Sequence, residues 1–97
     1  MFTFSLKSLL TAKDLFENDL NALGYDLLNQ TDKTAAINIF KLNVEYFPNS
    51  WNVYDSLGDG YLAEGNYESA IINYEQSLKL NPTNQNAITQ IEKLTKK

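Results

Sequence analysis

Residues 55–66 read DSLGDGYLAEGN, with glycines at 58, 60 and 65. Either this stretch is a loop that cradles a ligand, or it is a helix that carries glycines and then turns. The ligand readings fail on spacing. A dinucleotide loop needs G-x-G-x-x-G, whereas Gly58, Gly60 and Gly65 give G-x-G-x-x-x-x-G. A P-loop ends in Gly-Lys-Ser/Thr, whereas Gly65 is followed by Asn66 and Tyr67. An EF-hand loop opening at Asp55 puts Leu57 at its third position and Asn66 at its twelfth, so two ligands are missing.

The helix-and-turn reading succeeds once the chain is compared with itself. Shifted by 34 residues, 17–50 lies over 51–84 without a gap. Asn18 meets Asn52, Leu23 meets Leu57, Gly24 meets Gly58 and Leu28 meets Leu62. Ala36 meets Ala70, Ile37 meets Ile71 and Pro48 meets Pro82. Leu20 with Tyr54, Leu27 with Tyr61 and Phe40 with Tyr74 match in kind, and Asp32 meets Asn66, both good helix N-caps. In each copy the apolar residues fall at helical spacing in two stripes. The first runs Leu20, Leu23, Leu27 and Leu28, and then Tyr54, Leu57, Tyr61 and Leu62. The second runs Ala36, Ile37, Phe40 and Val44, and then Ala70, Ile71, Tyr74 and Leu78. Turn chemistry separates the stripes, and a proline follows each second one. Each copy is a helix–turn–helix unit that cannot enclose its apolar faces alone, so the units must stack.

In this pattern the chain resembles the tetratricopeptide repeat family. YDSLGDGYLAEGNYESAIINYEQSLKLNP carries the resemblance through Tyr54, Leu57, Gly58, Tyr61, Ala70, Tyr74 and Pro82. The first copy carries it through Leu20, Leu23, Gly24, Leu27, Ala36, Phe40 and Pro48. The resemblance implies an all-α fold, a right-handed superhelical stack of antiparallel helix pairs. The expected divisions are a helix start at 1–16, repeats at 17–50 and 51–84, and a capping helix at 85–97. Gly24 and Gly58 are then mid-helix glycines kept small for a partner helix, with Ala36 and Ala70 as the small residues opposite. Gly65 belongs to the turn before Asn66. Gly60 has no counterpart, since Asp26 stands there, and reads as an exposed, tolerated glycine. Asn43 and Ser77 replace a small alanine near the end of each second helix, where looser or wetter packing is expected.

Composition narrows the chemistry. The 97 residues suit one domain with a modest core. The net charge is −4, and all eight cations are lysine. Without arginine, bidentate contacts to phosphate or base edges are missing, so no nucleic-acid partner is expected. With no histidine and no cysteine, the usual general base, the thiol nucleophile and histidine- or cysteine-built zinc sites are absent. No enzyme activity, cofactor or metal is expected. No apolar run reaches the length of a membrane span. MFTFSLKSLLTAK lacks the leading charge and cleavage site of a signal peptide. A cytoplasmic location is the default expectation, with export open if a longer protein contains this segment.

Both ends are expected to be helical. In 84–96, Ala87, Ile88, Ile91 and Leu94 recur at helical spacing, Asn84 is placed to cap, and Lys93 and Lys96 suit the carboxyl end. At the other end Phe2, Phe4, Leu6, Leu9 and Leu10 admit two readings. Thr11 and Asp14 form a capping box that opens a helix near Ala12, with a short helix over 4–10 folded back on the first repeat. Alternatively one helix runs from Ser5 to about Gln30 and its apolar start docks on a second copy of the chain, giving a homodimer.

The resemblance implies that the first helices line a concave face that binds a protein or peptide segment. The residues expected there are Asn18, Asn21, Tyr25, Asn29, Asn52, Asp55, Asp59 and Leu62, with Asn86, Thr89 and Lys93 from the third helix. The face is amide-rich and mildly acidic. Asparagine both donates and accepts, which suits an extended backbone. A clamp for a terminal carboxylate is not expected opposite Asp55 and Asp59 with no arginine. A plain solvated surface accounts for the same residues, since exposed polar side chains are the norm. The wording of the repeats is also similar to repeat tails appended to bacterial serine hydrolases and esterases. That implies the alternative role, an accessory domain that stacks on a parent enzyme or self-associates.

Overall fold

Among the described residues five helices follow one another: α1 Leu6–Asn29, α2 Lys33–Tyr46, α3 Trp51–Glu64, α4 Tyr67–Leu80 and α5 Gln85–Thr95. The computed structural model describes residues 6–96, with side chains from residue 16 onward. Phe2 and Phe4, and the side chains of Leu6, Leu9 and Leu10, lie outside the described residues, and so does their docking. Each helix packs on the next, and α1 also touches α3. The described chain is an all-α stack of helix pairs.

The two repeats share their turns bond for bond. Thr31 N–H donates to Leu28 O and Asp32 N–H to Leu27 O, at 3.0 and 2.9 Å. Gly65 and Asn66 donate to Leu62 O and Tyr61 O at the same two distances. The closure needs a left-handed residue. Gly65 supplies it at φ 86°, and Thr31 is held at φ 66°. Asp32 and Asn66 then cap α2 and α4, accepting from Ala35 N–H and Ser69 N–H at 3.2 Å. Asn84 stands at the N-cap of α5, but its side chain makes no cap bond. It is buried and turns inward to Asp55 and Ser77.

Helix α1 is continuous through Thr11, which overturns the capping-box reading. No glycine or proline lies near Thr11, and Leu, Ala and Lys around it are strong helix formers. At 24 residues against 14 for α2, α1 is about 15 Å the longer at 1.5 Å per residue. Its first described side chain, Phe16, stacks edge-on against Tyr46 at 5.3 Å.

The core forms two clusters. Ala36, Ile37, Phe40 and Leu57 make the first, with Tyr25, Leu27, Leu28, Val44 and Tyr61 against it. Ala70, Tyr74 and Ala87 make the second, with Tyr61, Leu62, Leu78, Ile91 and Leu94. Tyr61 belongs to the rim of both and joins the repeats. Gly24 and Gly58 lie under the rings of Phe40 and Tyr74: a Cβ on Gly58 would stand 2.6 Å from Tyr74. Leu23, by contrast, is 44% exposed, and no described helix lies beside it as α2 lies beside Leu57.

Two expectations are corrected here. Gly60 is buried, not exposed: a Cβ there would stand 3.0 Å from Phe40 Cδ2 and 3.1 Å from Ile37 Cγ1, so the glycine lets α3 seat on the preceding repeat. Asn43 and Ser77 are fully buried rather than loosely packed. Each ties a second helix to the start of its first helix. Asn43 Nδ2 donates to Glu17 O at 3.0 Å, and Ser77 Oγ to Trp51 O at 2.9 Å, the same bond moved along the chain by 34 residues. At this tie the copies differ. Ser77 Oγ also accepts from Asn84 Nδ2, whereas Ser50, the counterpart of Asn84, donates its hydroxyl to Glu17 Oε2. Asn43 Oδ1 is left buried without a donor among the described residues.

Candidate first-helix face

The 34-residue register arranges the expected site residues in rows across α1, α3 and α5. One row is Asn18, Asn52 and Asn86. The next is Asn21, Asp55 and Thr89, and the third is Tyr25, Asp59 and Lys93. The structure divides these residues into a hydrogen-bonded floor and an open remainder.

The floor is centred on Asp59. Its carboxylate accepts from Tyr25 Oη of α1 at 2.5 Å, from Tyr74 Oη of α4 at 2.5 Å and from Asn86 Nδ2 of α5 at 3.3 Å. One turn earlier, Asp55 accepts from Asn84 Nδ2 at 2.9 Å and from Asn86 Nδ2 at 3.0 Å. Ser56 donates its hydroxyl to Asn21 Oδ1, a second tie between α1 and α3. Burial explains the titration. Asp55 is 8% exposed, and desolvation pushes its carboxyl up. The Asn84 and Asn86 bonds pull it back, and the charge of Asp59 adds to the rise. Tyr25 and Tyr74 are pushed well above the ordinary phenol range, first by burial and then by donating to Asp59. Both therefore stay protonated donors, and Asp59 stays satisfied as an acceptor.

The expectation of two carboxylates open to a ligand needs correction at Asp55, which is buried because α5 closes over it. Leu62 is likewise part-buried, packed against the second core cluster. Asn18 and Asn29 are exposed and Asn52 half-buried, and their side-chain amides bond to no other described residue. Lys93 is exposed on α5, and Thr89 accepts from Gln85 Nε2 at 3.1 Å. Ser56, Tyr74 and Asn84 were not among the expected site residues. The register held a signal for the Tyr25–Asp59 pair, whose members occupy one slot in successive repeats; it held none for Tyr74, which reaches the face from a second helix. A depression of about 560 Å³ lies along α4, lined by Tyr54, Ile72, Asn73, Glu75, Gln76 and Lys79, and contains none of the expected groove residues.

Among the described residues no three acidic, histidine or cysteine side chains are placed to hold a metal ion, and no helix is long and apolar enough to cross a membrane. Residues 51–84 match the family model described as tetratricopeptide repeat. No curated protein matches the chain.

Proposed function

From a chain that carries a tetratricopeptide repeat, a family whose repeats generally mediate protein–protein interaction, we propose a peptide-binding role for the first-helix face. The ligand is an extended segment of a partner protein laid across α1, α3 and α5. The observation that carries this reading is the row Asn18, Asn52 and Asn86, one asparagine in the same slot of three successive first helices. Asparagine is a mediocre helix former, so helix stability does not favour it there. The amides of Asn18 and Asn52 bond to no other described residue, and Asn86 spends its Nδ2 on Asp55 and Asp59. Each can meet a backbone N–H or C=O of a crossing strand. Tyr25, Asn29 and Lys93 flank the row. The floor beneath is held by Asp55 and Asp59, so the face is preorganised, which lowers the cost of binding.

Peptides selected from a random library on the 97-residue chain test the proposal. A selected peptide should perturb the NMR amide signals of Asn18, Asn52 and Asn86 together. Asn18→Ala/Asn52→Ala should weaken it about tenfold, two hydrogen bonds of about 0.5–1.5 kcal/mol each, without loss of fold. Binding that perturbs α2 and α4 instead, and is indifferent to the double substitution, would refute the reading.

A further inference from the structure

The loop that leads into α3 and the loop that leads into α5 share their backbone bonds. Phe47 N–H donates to Asn43 O and Ser50 N–H to Phe47 O, at 2.9 and 3.1 Å. Asn81 N–H donates to Ser77 O and Asn84 N–H to Asn81 O, at 2.8 and 3.1 Å. Ser50 therefore stands to Asn43 as Asn84 stands to Ser77. The side chains in these two slots are exchanged: asparagine then serine in the first copy, serine then asparagine in the second. In the second copy the pair is bonded, Asn84 Nδ2 to Ser77 Oγ at 2.9 Å. In the first copy the matching bond would run from Ser50 Oγ to Asn43 Oδ1. Ser50 instead spends its one proton on Glu17 Oε2 at 2.7 Å, and Asn43 Oδ1 is left without a donor among the described residues.

We infer that the Ser50 hydroxyl is a two-position donor: it rests on Glu17, and it turns to Asn43 Oδ1 when the Glu17 carboxylate is withdrawn. Two acceptors compete for one proton, and they differ in their alternatives. Glu17 is half-buried and can take water or an outside donor in place of Ser50. Asn43 is fully buried and cannot. The charge of Glu17 sets the resting position, because a hydrogen bond to a carboxylate is stronger than one to an amide oxygen. Once that charge is gone, a buried acceptor without a donor draws the hydroxyl inward. The hydroxyl has a third use, as a side-chain cap of α3, and it does not serve it here. Trp51 is exposed and Asn52 half-buried, so water reaches the first turn of α3 and its N–H groups need the hydroxyl less than Asn43 does. The consequence lies at the surface. A cationic group outside the chain can draw Glu17 off Ser50, and the buried end of α2 gains the bond that the surface gives up.

The test is the side-chain carbonyl carbon of Asn43, followed by NMR in the 97-residue chain. Its resonance moves downfield when its oxygen accepts a hydrogen bond. Glu17→Ala should move it downfield. That substitution leaves the Asn43 Nδ2 bond in place, because the bond goes to the Glu17 main chain. Adding Ser50→Ala should return the resonance to its wild-type position. Glu17 and Ser50 are both only half-buried, so the fold tolerates their truncation. Urea denaturation gives an independent reading. Ser50→Ala should lower the unfolding midpoint in the Glu17→Ala background at least as much as in wild type, since the hydroxyl is bonded in both. An unmoved Asn43 carbon in Glu17→Ala would overturn the inference. So would a shift that persists without the Ser50 hydroxyl, which marks water as the donor, or a Ser50→Ala cost that vanishes once Glu17 is gone. A shift confined to the Val53 backbone amide would make Ser50 a cap of α3 and overturn it as well.

Discussion

A methyl group added to Gly58 would meet the Tyr74 ring at 2.6 Å, and one added to Gly60 would meet Phe40 at 3.0 Å. Both rings are fully buried and have little room to retreat. Overpacking costs about 1–3 kcal/mol, against a helix-propensity gain of about 1 kcal/mol for replacing glycine with alanine. Gly58→Ala should therefore lose about 2 kcal/mol in urea denaturation, and Gly60→Ala less than about 1 kcal/mol. A stabilised Gly60→Ala would mean that α3 can lift off Phe40 at no cost. Thr31 offers the opposite case. A β-branched residue at φ 66° is strained where Gly65 is not. Thr31→Gly should raise stability by about 0.5–1 kcal/mol, the strain relieved exceeding the entropy that glycine adds to the unfolded chain. The sequence made Gly24 and Gly58 legible because each has a copy. Gly60 was not legible, because its slot faces the preceding repeat, and its counterpart Asp26 is exposed. Comparing repeats reveals what they share, and an interface between them is used once fewer than the repeats are counted.

Among the helices, apolar periodicity and the Asp32 and Asn66 caps located α2, α3 and α4 from sequence, since those signals lie in the residues next to one another. The capping box at Thr11 misled for the same reason: Thr and Asp with this spacing also fit inside an uninterrupted helix, and only context decides. Contacts between helices were less legible. Asp59 looked like a surface carboxylate on α3 until α1 and α4 brought Tyr25 and Tyr74 to it. Those two phenols make a pH signature. Both hold their protons in the folded chain well above the ordinary value of about 10, whereas in the unfolded chain they ionise near it. Above pH of about 10 the folded state then binds more protons than the unfolded state, so stability falls as pH rises. Tyr25→Phe/Tyr74→Phe should be less stable at neutral pH, having lost two bonds to Asp59, yet show a shallower decline above pH of about 10. Thermal unfolding followed by circular dichroism from pH 7 to 11 measures both effects. An unchanged alkaline slope in the double variant would show that the phenols titrate alike in both states.

Across the whole molecule Asp59 is the point where four helices meet: it belongs to α3 and takes donors from α1, α4 and α5. Neighbour-only stacking would let the ends of such a chain open separately. The Asp59 bonds add a path that ties both repeats and α5 into one unit on the same side that is proposed to bind. Stability and binding should accordingly respond to different residues. Asp59→Ala leaves Tyr25 and Tyr74 hydroxyls without their acceptor. Each bond to a charged group is worth about 1.5–3 kcal/mol, reduced here because the site is only part-buried and water can replace the carboxylate. A loss of about 2–3 kcal/mol overall is expected, with amide exchange in α5 accelerated more than exchange in α2. Asn52→Ala should change stability by no more than about 0.5 kcal/mol, because its amide bonds to no other described residue, while weakening a selected peptide. Denaturation and peptide affinity, measured side by side on the two variants, assign each residue its part. Should Asp59→Ala keep its stability and lose the peptide, the carboxylate would be a ligand contact, and the division into a structural floor and a binding row above it would have to be reversed.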